Sequence, residues 1–259
     1  PTLKRRNENY LFFVESDNNS AVDSSLIYLP VTEQFLTIVR GEIPTEYGVS
    51  TTSLRTLLFN HIGMRHPSGI ARKEFIPNMA GSYLIFNNQT GEVSGTAPTT
   101  YGYEGDEGIP EFPEILSVAD NGTTYDIDNW FSFSQTPMYF ALSRNFPDFH
   151  ELLRKAGLAL ESQFRYTFVD ENEYYTIFAP GKKAIEESNL NSLPIEELKE
   201  ALLLHIVRGA LIFTDGNMDT GYYATTRVDE KSTPFSTVFS RIYIEPGIDR
   251  IGFRGKNGA

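Results

Sequence analysis

The sequence predicts an α/β protein of the α+β type, built from two tandem domains. Its 14 Tyr and 19 Phe residues favour β-strands. A helical pattern that ends in a histidine occurs twice, once in each half of the chain. At 259 residues the chain is long enough for two domains of roughly 130 residues, each with its own core.

The repeated pattern aligns without a gap. "LRTLLFNHIG" begins at Leu54 and "LKEALLLHIV" begins at Leu198, so that His61 matches His205. The offset of 144 residues (205 − 61) exceeds the roughly 20 to 50 residues of a solenoid repeat and therefore indicates domain duplication. In both copies the apolar residues recur at helical spacing, which predicts an amphipathic helix with the histidine near its end.

The first domain is expected to span residues 1–135. The distance from the strand "NYLFFV" to the histidine is 48 residues, counted from Phe13, whereas the matching distance from Phe178 is 27 residues. An insertion is therefore expected near residues 23–50. The opening helices are expected to be missing or degenerate in this copy.

For the rest of the first domain the sequence predicts mainly strands and turns. Four capping residues, 50–53, and a stop at Gly63 delimit its histidine helix. "GSYLIFNNQTGEVSG" predicts a hairpin around residues 87–91, and Asn121 with Gly122 predicts a turn that leads into a final strand.

The second domain is expected to span residues 136–259. "PMYFALSRNFPDFHELLRKAGL" predicts an opening helix and "YYTIFAP" a strand, and Pro194 and Gly209 delimit the histidine helix. The strand that would close this domain is expected to be missing, so we expect the chain to be a fragment of a longer protein.

These motifs, in this order, resemble the fasciclin domain family. In the second half the resemblance rests on "NFPDFHELLRKAGL", "YTIFAP" and "LLLHIVRG", and in the first half on "LLFNHIG", "GSYLIF" and "NGTTYDID". It implies that each half is a wedge of two β-sheets with helices packed on one side. The first copy departs from the family pattern, because Val14 and Glu15 replace Ala-Pro after the strand.

The resemblance also implies a function. Fasciclin-like domains in tandem suggest a non-catalytic protein of a bacterial cell surface, extracellular or facing the periplasm, that adheres to a surface or matrix protein or to a polysaccharide. The alternative is a glycan-binding accessory module of a bacterial cell surface. Neither reading requires a cofactor, and both predict that the chain is not an enzyme.

Composition excludes several other classes. The net charge of −12 would repel phosphate backbones, so no nucleic-acid partner is expected. The absence of cysteine excludes disulfides and thiolate chemistry. No run approaches the roughly 20 apolar residues of a membrane span. A chain that begins at Pro1 looks trimmed, so an export signal or the cysteine of a lipoprotein anchor would have been lost with the missing start.

The two histidines admit a catalytic, a metal-binding and a structural interpretation. The residues beside His205 are Leu204 and Ile206, which offer neither a nucleophile nor an orienting carboxylate. His61 and His66 are five residues apart, which does not place two rings together on a helix. We therefore predict that His61 and His205 are structural core histidines, and we assign no catalytic or metal-binding residue.

Three aromatic residues are candidate ligand contacts. Tyr101 and Tyr103 lie in a Gly-rich acidic loop, residues 98–113, and Trp130 follows "YDID". Flat aromatic faces suit sugar rings, although an aromatic residue in a strand-rich protein more often packs in the core, and for Trp130 packing is the favoured interpretation.

Overall fold

The computed structural model describes residues 9–15, 26–29, 34–39, 45–48, 50–97, 110–134, 136–170 and 172–254, with backbone alone for 26–29, 34–39 and 45–48. The chain divides into two compact units, residues 1–135 and 136–259, each described here by itself.

The first unit consists mainly of β-strands. Its described elements, in chain order, are β1 (Tyr10–Val14), β2 (Leu26–Leu29), β3 (Gln34–Val39), β4 (Thr45–Gly48), α1 (Thr51–Asn60), β5 (Ile62–Gly63), β6 (Lys73–Pro77), β7 (Tyr83–Asn87), β8 (Glu92–Ser94), β9 (Glu114–Ala119) and β10 (Gly122–Asp126).

Strand β1 lies inside a four-stranded sheet of order β5-β1-β10-β9. It pairs in parallel with β10 and antiparallel with β5. Strands β6, β7 and β8 form an antiparallel sheet, which adjoins β5 through bonds from Met64 N–H to Pro77 O and from Met79 N–H to Ile62 O. The third sheet, β2-β3-β4, occupies the segment for which the sequence predicts an insertion.

Local sequence signals explain where helix α1 begins and where two pairs of strands are joined by turns. Helix α1 begins where the Ser50 hydroxyl accepts a 3.0 Å hydrogen bond from Ser53 N–H. It ends at Asn60, earlier than the predicted stop at Gly63, because residues 62–63 pair with β1. The predicted hairpin between β7 and β8 and the predicted turn between β9 and β10 are both confirmed.

The core of the first unit lies between its sheets. Alternation along β1 buries Leu11 and Phe13, which pack with residues from β6, β7 and the segment after β10. Gly122 is required where β10 begins, because a Cβ there would lie 2.6 Å from the Tyr10 carbonyl oxygen. The close approach of β10 to β1 therefore depends on a residue without a side chain.

The second unit alternates helices and strands. Its described elements are α2 (Met138–Asn145), α3 (Pro147–Lys155), β11 (Ala159–Leu160), a 3₁₀ turn (Glu161–Gln163), β12 (Arg165–Tyr166), β13 (Tyr175–Ile177), α4 (Lys182–Glu187), a second 3₁₀ turn (Leu190–Ser192), α5 (Ile195–Leu204), β14 (Ile206–Arg208), β15 (Gly221–Val228), β16 (Phe239–Gly247) and β17 (Arg250–Arg254).

The second unit contains a five-stranded antiparallel sheet of order β13-β14-β15-β16-β17 and a short hairpin, β11-β12. Helix α3 buries Phe149, Leu152 and Leu153 at helical spacing. These residues pack in one cluster with Leu198 and Leu202 of α5, which contacts both α3 and the sheet. The predicted α+β class is confirmed, since helices and several sheets share the chain.

Candidate binding groove beside His205

The two histidines occupy equivalent positions on their sheets. The His61 carbonyl accepts a 3.0 Å bond from Phe13 N–H, and the His205 carbonyl accepts a 2.9 Å bond from Phe178 N–H. Each histidine ends a helix and precedes a short strand. That strand pairs antiparallel with β1, which contains Phe13, or with β13, which Phe178 directly follows. Phe13 in the first unit therefore corresponds to Phe178 in the second, and the surroundings of the two histidine rings can be compared.

The ring of His61 is enclosed on all sides. Its residue is 1% exposed, its Nδ1 lies 2.8 Å from the Leu57 carbonyl, and its Nε2 accepts a 2.8 Å bond from Phe131 N–H. Because the carbonyl can only accept and the amide can only donate, Nδ1 carries the proton. Burial lowers the pKa of His61 to about 4, with the Leu57 bond opposing that shift.

The segment after β10 closes over His61. The rings of Trp130 and Phe131 lie 4.4 Å and 5.1 Å from the imidazole, edge-on and stacked respectively. The buried carboxylate of Glu111 holds this segment by accepting bonds from Asp128 N–H (3.0 Å) and Asn129 Nδ2 (2.8 Å). His61 therefore serves as an acceptor that fixes the closing segment of the first unit.

The ring of His205 is only half-buried and faces a groove. Its Nδ1 lies 3.0 Å from the Phe178 carbonyl, so Nδ1 carries the proton and Nε2 is an acceptor. Among the described residues no donor reaches this Nε2. The groove has a volume of about 460 Å³, and its lining is mainly apolar, formed by Phe178, Ala179, Pro180, Leu204, Ile242 and Phe253.

The strand beside the groove lies at the edge of its sheet. Within the described part of the chain β13 pairs with β14 alone, whereas β1 pairs on both sides. The bonds of Phe178 and Tyr174 to β14 imply, by alternation, that the N–H and C=O groups of Tyr175 and Ile177 point to the open side. The groove and the unpaired backbone are therefore next to each other.

Of the three aromatic residues predicted as ligand contacts, the structure describes Trp130. Tyr101 and Tyr103 lie outside the described residues. Trp130 is half-buried, with its ring edge-on to His61. The groove beside His205 was missed from the sequence, because its lining comes from segments far apart in the chain, residues 178–180, 204–205, 242 and 253–254.

Another exposed apolar surface lies in the first unit. Strand β9 is at the edge of its sheet, and all six of its residues are exposed. They include Ile115, Leu116 and Val118, the last 74% exposed, and Phe112 nearby is also exposed. Grouped apolar side chains on an edge strand indicate a contact surface.

The described residues contain no group of three or more His, Asp or Glu side chains that could hold a metal ion. In the acidic run at residues 215–221, Asp215 is buried and its carboxylate accepts a bond from Asn217 N–H, as in an Asx turn. No helix in the described segments combines the length and apolar character needed to cross a membrane.

Comparison with known proteins finds a family match within the second unit. Residues 144–248 match the family described as the fasciclin domain. Among solved structures the chain is similar to a FAS1 domain pair from the insect cell adhesion molecule Fasciclin I, with 12% identity over 93% of this chain and 86% of that chain and a TM-score of 0.28. No match was found among curated protein sequences. The match to the fasciclin domain family therefore covers residues 144–248, which carry His205.

Proposed function

We propose that this chain is a non-catalytic adhesion protein, extracellular or at the cell surface, that binds a surface or matrix protein. Fasciclin domains are generally found in cell adhesion and extracellular proteins, and residues 144–248 match that family. We further propose that residues 1–135 are a second, divergent fasciclin-like domain. The equivalent Phe–His hydrogen bonds in the two units support this proposal.

The exposed apolar strand β9 is the observation that favours a protein partner. Among the described residues β9 pairs with β10 alone, so its exposed apolar side chains and the backbone of its other edge are available to another polypeptide. Such an edge favours protein contact, because a strand can pair with its backbone while apolar side chains cover Ile115 and Val118.

The test is binding of the full chain to a panel of matrix proteins and surface polysaccharides. We expect saturable binding to a protein, lost in an Ile115→Lys/Val118→Lys variant and retained in a Tyr101→Ala/Tyr103→Ala variant. Both β9 positions are exposed, so the lysines should leave the fold intact, as checked by circular dichroism.

The glycan-binding alternative predicts the opposite pattern. Binding to a polysaccharide that the Tyr101→Ala/Tyr103→Ala variant loses, and that the β9 variant keeps, would contradict protein adhesion and support a glycan module centred on residues 98–113.

A further inference from the structure

We propose that a polar cavity in the second unit binds a neutral sugar ring, a hexopyranose of a surface polysaccharide. The cavity has a volume of about 550 Å³ and lies between the segment that leads from β12 to β13 and one face of the five-stranded sheet. All of its lining residues lie between positions 165 and 239, inside the segment 144–248 that matches the fasciclin family. This sugar site goes beyond the proposed contact with a protein.

Hydrogen bonds and ring contacts hold the wall of the cavity in place. The Tyr175 hydroxyl accepts a 2.8 Å bond from Asp170 N–H, and the Asp170 carboxylate accepts a 2.9 Å bond from Asn172 N–H. The ring of Phe168 stacks on that of Tyr166, with their centres 5.2 Å apart. The cavity is therefore formed before a ligand arrives, which lowers the entropic cost of binding.

The floor of the cavity presents a guanidinium whose charge is already compensated. Arg208 Nε donates a 3.0 Å bond to one carboxylate oxygen of Glu173, and Nη2 donates to the other. The guanidinium carbon lies 3.9 Å from the centre of the Phe239 ring. Among the described residues Nη1 has no acceptor. Arg208 therefore offers a fixed donor beside a carboxylate, which suits a hydroxyl better than an anion that Glu173 would repel.

Two further charged side chains line the cavity without an ion pair. Within the described segments neither Arg165 nor Asp170 has a salt-bridge partner, and the two do not pair with each other. A hydroxyl can accept a bond from a guanidinium and donate one to a carboxylate. A ring with several hydroxyls can therefore bond to both side chains, whereas an anionic ligand would be repelled by Asp170.

The character of the lining favours a sugar over other small molecules. The lining is mainly polar, which disfavours an apolar ligand, and the volume falls within the range of small-molecule sites. The half-buried ring of Phe168 adds an apolar surface that suits the C–H face of a sugar. The net charge of −12 opposes the approach of acidic polysaccharides. These features together favour a neutral hexopyranose.

The experiment titrates the isotope-labelled full chain with four neutral probes and follows its NMR signals. The probes are the methyl glycosides of glucose, galactose, mannose and N-acetylglucosamine. We expect at least one of them to saturate and to shift the amide signals of Asp170 and Asn172 and the guanidinium signals of Arg165 and Arg208. Saturation that shifts signals only elsewhere in the chain, or no saturation by any of the four probes, would overturn the proposal.

The variant Asp170→Asn distinguishes a neutral sugar from an anion. It keeps the shape of the side chain and an oxygen for the bond from Asn172 N–H, and it removes the negative charge. Binding of the neutral probe should weaken about tenfold, because a hydroxyl bonds more strongly to a carboxylate than to an amide oxygen. Methyl glucuronide is the anionic counterpart. Tighter binding of methyl glucuronide than of the neutral probes, strengthened by Asp170→Asn and weakened by salt, would overturn the proposal.

A pair of arginine variants locates the sugar. Arg165→Ala should weaken binding about tenfold, because it removes a donor that no described carboxylate occupies. Arg154→Ala is the matched control, since it removes the same charge from another polar cavity, where Arg154 pairs with Glu151 and Glu161. It should bind as the unmodified chain does. Circular dichroism checks that both variants fold. Sugar binding that survives Arg165→Ala, or that is lost in Arg154→Ala alone, would overturn the proposal.

The β9 variant separates this inference from the proposed protein contact. Ile115→Lys/Val118→Lys changes the first unit and should leave sugar binding intact, and loss of sugar binding in that variant would overturn the proposal. Loss of protein adhesion in the β9 variant with sugar binding retained would leave the sugar site standing. Loss of sugar binding in Arg165→Ala with protein adhesion retained would support both proposals, so the two fail separately.

Discussion

The surroundings of His61 and His205 differ although the two residues hold equivalent places on their sheets. His61 is covered by the segment after β10 and uses both ring nitrogens within the first unit. His205 uses Nδ1 on its own sheet and turns Nε2 toward a groove. The comparison teaches that a histidine at the same place on its sheet can bind with both ring nitrogens or with Nδ1 alone, depending on the segment that lies against its ring.

The largest expected difference is in the free energy of unfolding lost when an aromatic residue near His61 or near His205 is truncated to alanine. Phe131 is 4% exposed and contacts both His61 and Phe13, so Phe131→Ala should lower the free energy of unfolding of the first unit by about 3–5 kcal/mol. Phe253→Ala should cost the second unit less than about 1 kcal/mol, because half of that residue is exposed.

Denaturant unfolding measures both changes. Trp130 is the single tryptophan and lies in the first unit, so its fluorescence reports that unit, while circular dichroism reports both. Similar losses in the two variants would contradict the difference in enclosure.

The next effect is a pH dependence that belongs to His61. Between the folded pKa of about 4 and the ordinary value of 6.5, the unfolded chain binds a proton that the folded chain does not. Stability contributed by the neutral ring is therefore fully present above pH 6.5 and is lost as the pH falls toward 4, by about 3 kcal/mol in total.

Urea unfolding followed by Trp130 fluorescence at pH 7.5 and 4.5 tests this dependence. The loss at the lower pH should be smaller in His61→Asn, which has no imidazole to protonate. Titration of the His61 ring by NMR should give a midpoint well below 6, and a midpoint near 6.5 would contradict the enclosed ring.

A third effect concerns the close approach of β10 to β1. Gly122→Ala would bring a Cβ to 2.6 Å from the Tyr10 carbonyl, so it should destabilise the first unit by about 1–3 kcal/mol. Gly221 of β15 is the matched control, since a Cβ there meets nothing within 4 Å, and Gly221→Ala should be neutral or stabilising by up to about 1 kcal/mol. Equal losses in the two variants, followed by thermal unfolding, would show that β10 can move away from β1.

Much of this architecture could be predicted from local patterns. Helical spacing predicted α3 and α5, and Asn121 with Gly122 predicted the turn before β10, because these signals lie within a few residues of one another. The parallel pairing of β1 with β10 could not be predicted in this way, since it joins residues more than 100 positions apart. The groove beside His205 was missed for the same reason, since its lining joins residues from 178 to 254.

The smallest expected effect is on stability and concerns the first residues of α1 and α5, the two helices that end at a histidine. Ser50 accepts a bond from Ser53 N–H at the start of α1, whereas α5 starts after Pro194 with no side-chain cap. Ser50→Ala should therefore lower the stability of the first unit by about 1 kcal/mol. Pro194→Ala removes no capping bond and should lower stability by less, although it frees the unfolded backbone. Urea unfolding of both variants checks this order. If Pro194→Ala lowered stability more than Ser50→Ala, this prediction would be contradicted. The proline ring, which restricts the backbone before the helix begins, would then stabilise a helix start more than the serine hydroxyl does.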